Sequence, residues 1–234
     1  MIEPTPAIVK ITNVRWKIVG LICVASFIAY ILRTNLSIVG ETMMRELRLT
    51  EIQLGYVLSA FAWGYALFQF PGGIFGDVVG SRKAITLMAA SWGVLTILTG
   101  LVPTSVVSIG ILLAVLIVVR FLVGASQAPF FPVVGGVIAN WFPVSGWGFP
   151  NGLTSTAATL GAATVAPILV WLLQLTGWRQ TFLITGPLAF VIAVIWWWYG
   201  RDYPSMHRAV SQAELDLINK NRELPSDQLQ KNIW

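Results

Sequence analysis

Two arginines lie in stretches otherwise apolar enough to sit in lipid. Leu112 to Pro132 reads LLAVLIVVRFLVGASQAPFFP, with Arg120 near its middle. Arg33 lies toward the far end of a second apolar stretch, Trp16 to Val39. Placing an arginine at the centre of a membrane helix costs about 2.5–3.5 kcal/mol on insertion scales. A cation at that depth therefore faces a bundle interior or a wet cavity and marks a path for an anion. Gly124, Gln127 and Phe131 follow Arg120 at spacings that put all four on one helical face. Tyr30 and Ser37 share the face of Arg33, and Tyr65 and Gln69 share one face of a further apolar stretch. No Asp or Glu lies within these spans to neutralise the arginines. Unpaired like charges in low dielectric are costly, so the partner these residue types imply is an anionic ligand. The competing reading ties Arg120 to backbone carbonyls and lets Arg33 snorkel to an interface. Tyr65 and Gln69 serve equally well as cavity lining or as interhelical hydrogen-bonding groups.

These side chains need helices to hold them at depth. Of 234 residues, 56% are hydrophobic and 11% charged, with 11 tryptophans. A soluble domain carries about 25% charged residues, so this is the profile of an integral membrane protein. A helix needs roughly 20 apolar residues to cross the hydrocarbon, and six segments qualify: 17–39, 53–76, 84–102, 109–138, 149–173 and 179–199. Unbroken apolar runs exclude a β-barrel, whose strands alternate. The predicted organisation is an N-terminal tail over 1–16, an all-α six-helix transmembrane bundle over 17–200 and a second tail over 201–234.

The net charge of +5 does not form a nucleic-acid patch, so no nucleic-acid partner is expected. It reports topology instead. Lys10, Arg15, Lys17, Arg82, Lys83, Arg201, Arg208, Lys220, Arg222 and Lys231 fall at one end of the spans, against Arg45, Arg48 and Arg179 at the other. The positive-inside rule then places both termini in the cytoplasm of a cell (inner) membrane protein. The single Cys23 excludes a disulfide framework. The first span ends in no small-residue cleavage site and reads as retained. Ser155, Thr156, Ala158, Thr159 and Gly161 of the fifth span suit close helix packing. Trp196, Trp197, Trp198 and Tyr199 read as an aromatic belt at headgroup level. Glu41 to Gln53 reads as a solvated helix extension, and Ser211 with Glu214 as a capping box opening a short amphipathic helix. His207, outside the membrane, is assigned no catalytic role.

The turn between the second and third spans, GGIFGDVVGSRK, resembles the signature loop of the major facilitator superfamily, Gly-x-Leu-Ala-Asp-Arg-x-Gly-Arg-(Lys/Arg). Gly73, Phe75, Gly76, Asp77, Gly80, Arg82 and Lys83 occupy matching places, while Val78 and Ser81 replace the usual basic residues. Further motifs are similar to the anion:cation symporter branch of galactonate and hexuronate permeases, sialin and vesicular glutamate transporters. They run from Tyr30 through Arg33-Thr-Asn-Leu-Ser37, Leu58-Ser-Ala-Phe61 and Tyr65 to Gln69. Arg120-Phe-Leu-Val-Gly124, Trp141-Phe-Pro143, Gly161 to Pro167, Gly177-Trp-Arg179 and Arg201-Asp-Tyr-Pro204 complete the set.

The resemblance implies one 3+3 inverted-repeat half, the N-terminal one, of a secondary active transporter working by alternating access, with a small organic anion such as a sugar acid as substrate. Arg33 and Arg120 would hold the substrate carboxylate, with Tyr30, Tyr65, Gln69 and Gln127 lining the same cavity. Gly73, Asp77, Gly80, Arg82 and Lys83 would tune the cytoplasmic gate. The implied partners are the lipid bilayer, a co-transported cation and a second six-helix half. Bacterial members commonly carry an Asp where this chain has Leu32 and a Glu where it has Gln127. Those carboxylates couple transport to protons in the family, and an amide cannot titrate. Leucine before the first arginine also occurs in the animal branch. The turn from Val144 to Asn151 lacks the Arg, Lys and Glu usual there. The length suits about half of a twelve-span transporter, which a truncated non-transporting protein, a fragment or a half pairing with another chain would each satisfy. No nucleophile–base set, metal cluster or phosphate-binding loop suggests an enzyme, and no cofactor is expected.

Overall fold

The computed structural model describes residues 11–103 and 108–220. Lys10, Arg222 and Lys231 of the basic count lie outside the described residues. Eight α-helices and no strand occur among the described residues: α1 (Val14–Leu47), α2 (Glu51–Val79), α3 (Ser81–Gly100), α4 (Ile109–Gln127), α5 (Phe130–Trp141), α6 (Gly148–Thr176), α7 (Trp178–Tyr199) and α8 (Gln212–Asn219). The predicted fourth span is thus α4 and α5 together. It breaks because Pro129 and Pro132 carry no N–H and withdraw two rungs from the i→i−4 ladder. Five stretches are long and apolar enough to cross a membrane. α2 falls short of that measure through its Gly, Tyr, Gln and Pro content, yet its 29 residues would extend about 44 Å at 1.5 Å per residue. The Thr50–Gln53 capping box starts it, with Thr50 Oγ1 accepting from Gln53 N at 3.2 Å and Gln53 Oε1 from Thr50 N at 2.9 Å.

The helices pack chiefly as α1 on α6, α2 on α4 with α5, and α3 on α7. In spans, that is first with fifth, second with fourth and third with sixth. Exchanging the first three spans for the last three leaves this pairing unchanged, as a 3+3 inverted repeat requires. Glycine makes the contacts close enough. A Cβ on Gly64 would lie 2.1 Å from the Phe121 carbonyl oxygen, and one on Gly124 would lie 2.1 Å from that of Phe61. Gly93 and Gly186 meet reciprocally between α3 and α7, and Gly161 of α6 rests on Phe27 and Tyr30 of α1. Without a hydrophobic force between helices in lipid, backbone proximity of this kind supplies the packing energy.

At the opposite end from the basic cluster, α1 runs on to Leu47 rather than ending near Val39. This extension is not merely solvated, because Met43 and Leu47 are buried. Glu46 takes the Trp178 indole N–H at 2.7 Å and pairs with Arg179.

At the basic end, the segment after α7 folds back onto the bundle. Helices α1 and α3 begin with Arg-Trp-Lys and Arg-Lys and have no acidic residue in their first turns. That opposes the helix dipole, which favours anions at N-termini. Both anions arrive from the tail. Asp202 Oδ1 accepts from Ser81 Oγ at 2.9 Å and from Arg82 N at 2.7 Å. Fully buried Glu214 accepts from Thr12 Oγ1 at 2.6 Å and from Val14 N and Arg15 N at 3.1 Å each. The expected capping box at Ser211 is therefore only half formed. Ser211 Oγ accepts from Glu214 N at 3.3 Å, but the Glu214 carboxylate caps α1, and Ser211 N donates to Thr12 Oγ1. His207 packs against Tyr199, with ring centroids 4.8 Å apart, and its Nδ1 accepts from Ala209 N. Burial, and then the nearby Arg201, push its pKa below the ordinary 6.5.

Three outcomes follow for melting in detergent. Gly64→Leu should lower stability by about 1–3 kcal/mol through overpacking, whereas Gly110→Ala, with open space at its Cβ, should not. Equal melting of the two would mean that α2 and α4 are not in close contact. Glu214→Ala should cost about 2 kcal/mol, because it strands two backbone N–H groups and a hydroxyl, while exposed Asp216→Ala stays near wild type. The third is a pH effect. Because the folded state disfavours charged His207, its contribution is present above pH 6.5 and lost as pH falls through the folded pKa. His207→Gln should flatten that acid-side decline, and an unchanged slope would exclude His207 as its source.

Candidate functional site

Arg33 points from α1 toward α2 and lies among rings. Its Cζ is 4.4 Å from the Tyr65 ring centroid, 4.9 Å from Phe61 and 5.6 Å from Tyr30. Phe61 and Tyr65 are themselves stacked 6.0 Å apart at 22°. Cation–π contacts contribute from about 0.5–1 kcal/mol when exposed to about 2 when desolvated, so three rings offset much of the cost of placing this charge at depth. They do so without using hydrogen bonds. None of the guanidinium donors of Arg33 has a hydrogen-bond partner among the described residues, so all are available to an acceptor from outside.

Arg120 is placed differently. It is 3% exposed, and its only ring contact among the described residues is Phe182 of α7, at 5.6 Å. Its Nε and Nη2 are buried without a hydrogen-bond partner. An unsatisfied buried donor costs about 1–3 kcal/mol and more when charged, so two of them exceed what one ring returns. The same turn of α7 holds Thr185, which accepts from Asn35 Nδ2 at 2.7 Å and donates to the Thr181 carbonyl at 2.6 Å. Asn35 is fully buried, and its Oδ1 has no partner either. Asn35 was legible only as a motif member; an Asn inside an apolar span was the signal for its place in this buried polar group.

The surroundings of the two arginines are contiguous. Gly124, one turn or about 6 Å along α4 from Arg120, lies against Phe61 O and Tyr65 N, whose rings hold Arg33. The face predicted from Arg120 through Gly124 to Gln127 is buried inside the bundle instead of lining an open cleft. Gln127 is a strut there, with its Nε2 donating to the Ala29 carbonyl of α1 at 3.4 Å. Gln69 is exposed and shares a cleft of about 530 Å³ with Gly73, Asp77 and Pro132, one turn away from the rings around Arg33. Of five surface clefts of about 220 to 540 Å³, none is lined by Arg33 or Arg120.

The loop residues form a second group. Gly80 adopts φ +86°, and a Cβ there would lie 3.0 Å from both Asp202 carboxylate oxygens, so glycine is required twice over. Arg82 stacks on Trp197 at 4.4 Å and donates from Nε and Nη2 to the Trp197 carbonyl at 3.0 and 2.7 Å. Asn140 Nδ2 and Trp141 Nε1 donate to the carbonyls of Asp202 and Arg201, which adds α5 to the joint. Asp77, in the last turn of α2, and Lys83 are exposed. Asp77 borders a cleft of about 500 Å³ with Gly80, Asn140 and Asp202. In the sequence Asp202 stands only as a member of the Arg201-Asp-Tyr-Pro204 motif. The available signal was a helix opening on Ser-Arg-Lys with no acid of its own.

The chain is 37% identical over 95% of its length to a probable galactarate/D-glucarate transporter of Bacillus subtilis, of which it covers 48%. It is 34% identical over 87% of its length to a probable sulfoacetate transporter of Cupriavidus necator, covering 46% of that protein. A hexuronate transporter of Escherichia coli is 26% identical over 92% of the chain. The chain thus spans about half the length of the curated relatives it matches. Among solved structures, a bacterial homologue of the lysosomal transporter Spinster, inward-facing and occupied, superposes with a TM-score of 0.68 at 21% identity. That match covers 82% of this chain and 46% of that one, and it supports the fold. These relatives are transporters, not enzymes. The family model described as the Major Facilitator Superfamily matches residues 22–231, so with its paired spans and its signature loop this multi-pass membrane chain belongs to that superfamily.

Proposed function

We propose that this chain supplies the N-terminal half of a secondary transporter for a small organic dianion or monoanion of the sugar-acid type, working by alternating access. The observation that carries the reading is a pair of guanidinium groups at membrane depth whose donors lack acceptors. The rings of Tyr30, Phe61 and Tyr65 hold Arg33 in place while leaving its N–H groups unused. A planar guanidinium binds a carboxylate through two parallel N–H···O bonds, a geometry that Lys cannot reproduce. The relatives named for galactarate, glucarate, hexuronate and sulfoacetate fit that chemistry, since all of these substrates are acids. Tyr65 and Tyr30 border the bound acid, Gln69 serves farther along α2, and Gln127 fixes the Arg120 helix to α1.

The midplane site of such folds lies between two halves. α6 buries a single stripe, Thr154, Ala158, Gly161, Val165 and Leu169, and leaves Ser155, Thr156, Thr159 and Thr164 exposed. The Thr159 and Thr164 hydroxyls donate to carbonyls of their own helix, but those of Ser155 and Thr156 have no partner among the described residues, and a second six-helix half with the water between the halves supplies one. Asp77, Gly80 and Arg82 then act at the cytoplasmic gate of an inner-membrane protein with both termini inside, the orientation that the distribution of basic residues favours. A co-transported cation would balance the charge of the acid. Gln127 cannot carry a proton, so a coupling proton would bind elsewhere.

The test measures uptake of radiolabelled galactarate with both halves present, in proteoliposomes. Arg33→Ala and Arg120→Ala should each reduce uptake at least 100-fold, and Arg120→Lys should stay at least tenfold below wild type. Uptake of wild-type size in either alanine variant would remove that arginine from the site.

A further inference from the structure

Where α1 begins and α7 ends, the two helices leave a groove of about 220 Å³ lined by Lys17, Leu21, Ile195, Trp198 and Tyr199. Its residues form two tiers. Lys17 lies one turn into α1, with Trp198 and Tyr199 in the last turn of α7. Leu21 and Ile195 lie one turn deeper, about 6 Å along the axes. The groove is therefore polar at the membrane boundary and apolar just beneath, in the order of a phospholipid head and chain.

The polar tier carries donors and no acid. The Lys17 ammonium, the Trp198 indole N–H and the Tyr199 hydroxyl have no hydrogen-bond partner among the described residues, and no carboxylate lines the groove. The carboxylates folded against this end are committed elsewhere: Glu214 caps α1 and Asp202 caps α3. Arg15 and Arg201 add further positive charge at the same end.

We propose that this groove binds one anionic glycerophospholipid, its phosphate on Lys17 and the tip of the aromatic belt and the start of one acyl chain against Leu21 and Ile195. Basic pockets between membrane helices suit such heads. The lipid would brace the α1–α7 joint beside the docked tail, away from Arg33 and Arg120.

Native mass spectrometry of the purified chain, with phosphatidylglycerol or phosphatidylcholine added to detergent micelles, tests the assignment. Wild type should retain phosphatidylglycerol in preference. One lysine near the surface is worth about fivefold in affinity, so Lys17→Glu should lower that preference at least fivefold, while Lys220→Glu, exposed past the end of α8, leaves it unchanged. Leu21→Trp, which fills the deeper tier and keeps the charge, should reduce adducts of both lipids. Far-UV circular dichroism and melting without added lipid establish that each variant is folded. Equal retention of the two lipids by wild type, or an undiminished preference in folded Lys17→Glu, would overturn the proposal. So would undiminished phosphatidylglycerol adducts in Leu21→Trp.

Discussion

A charge in a low-dielectric interior has to be matched by a partner, and this chain meets that requirement differently at each depth. At the basic end, carboxylates do it. α1 and α3 open on Arg15 and Lys17, and on Arg82 and Lys83. The positive-inside rule favours such residues at a cytoplasmic end, yet the dipole of each helix disfavours them in its first turn. Asp202 and Glu214 reconcile the two demands by bringing negative charge to those turns from the far side of the chain. At mid-depth, rings match Arg33. Arg120 keeps a deficit, because its Nε and Nη2 find no acceptor among the described residues.

Such a deficit persists because the helices cannot shift to relieve it. Gly64 and Gly124 bring α2 and α4 to backbone contact, and Gly93 and Gly186 do the same for α3 and α7. Contacts that close leave little room for side-chain adjustment, so the Arg120 donors stay where the backbone puts them. A preorganised cation loses less on binding than one that must first be gathered from alternative rotamers.

How far the sequence could be read follows from the range of each interaction. The spans and the depth of both arginines depend on local apolarity, which a window of twenty residues contains. Helix ends were less accessible. α1 outruns its apolar stretch because Met43 and Leu47 pack on distant helices, and α4 breaks where Pro129 and Pro132 act together. The fixing carboxylates were out of reach for a different reason. Asp202 lies 120 residues from Arg82, Glu214 lies 200 from Val14, and Glu46 lies 132 from Trp178. Ser211 and Glu214 even carry a local pattern that points to the wrong partner, since the carboxylate that a capping box would turn inward is taken by another helix.

Gln127 shows what a one-atom exchange does at such a site. Its amide donates to the Ala29 carbonyl and ties α4 to α1 between the two arginine neighbourhoods. A glutamic acid could donate there only while protonated. Once ionised it would face a carbonyl oxygen, a repulsive contact inside a buried joint, so its strut would form and break with the proton. An amide keeps the donor at every pH. Here the joint is permanent, and the link between protonation and helix position that a carboxyl would provide is absent from it. On the proposed function, movement of this half around a bound acid would then be governed by the charge of the acid and its grip on Arg33 and Arg120, with the α1–α4 contact as a fixed point.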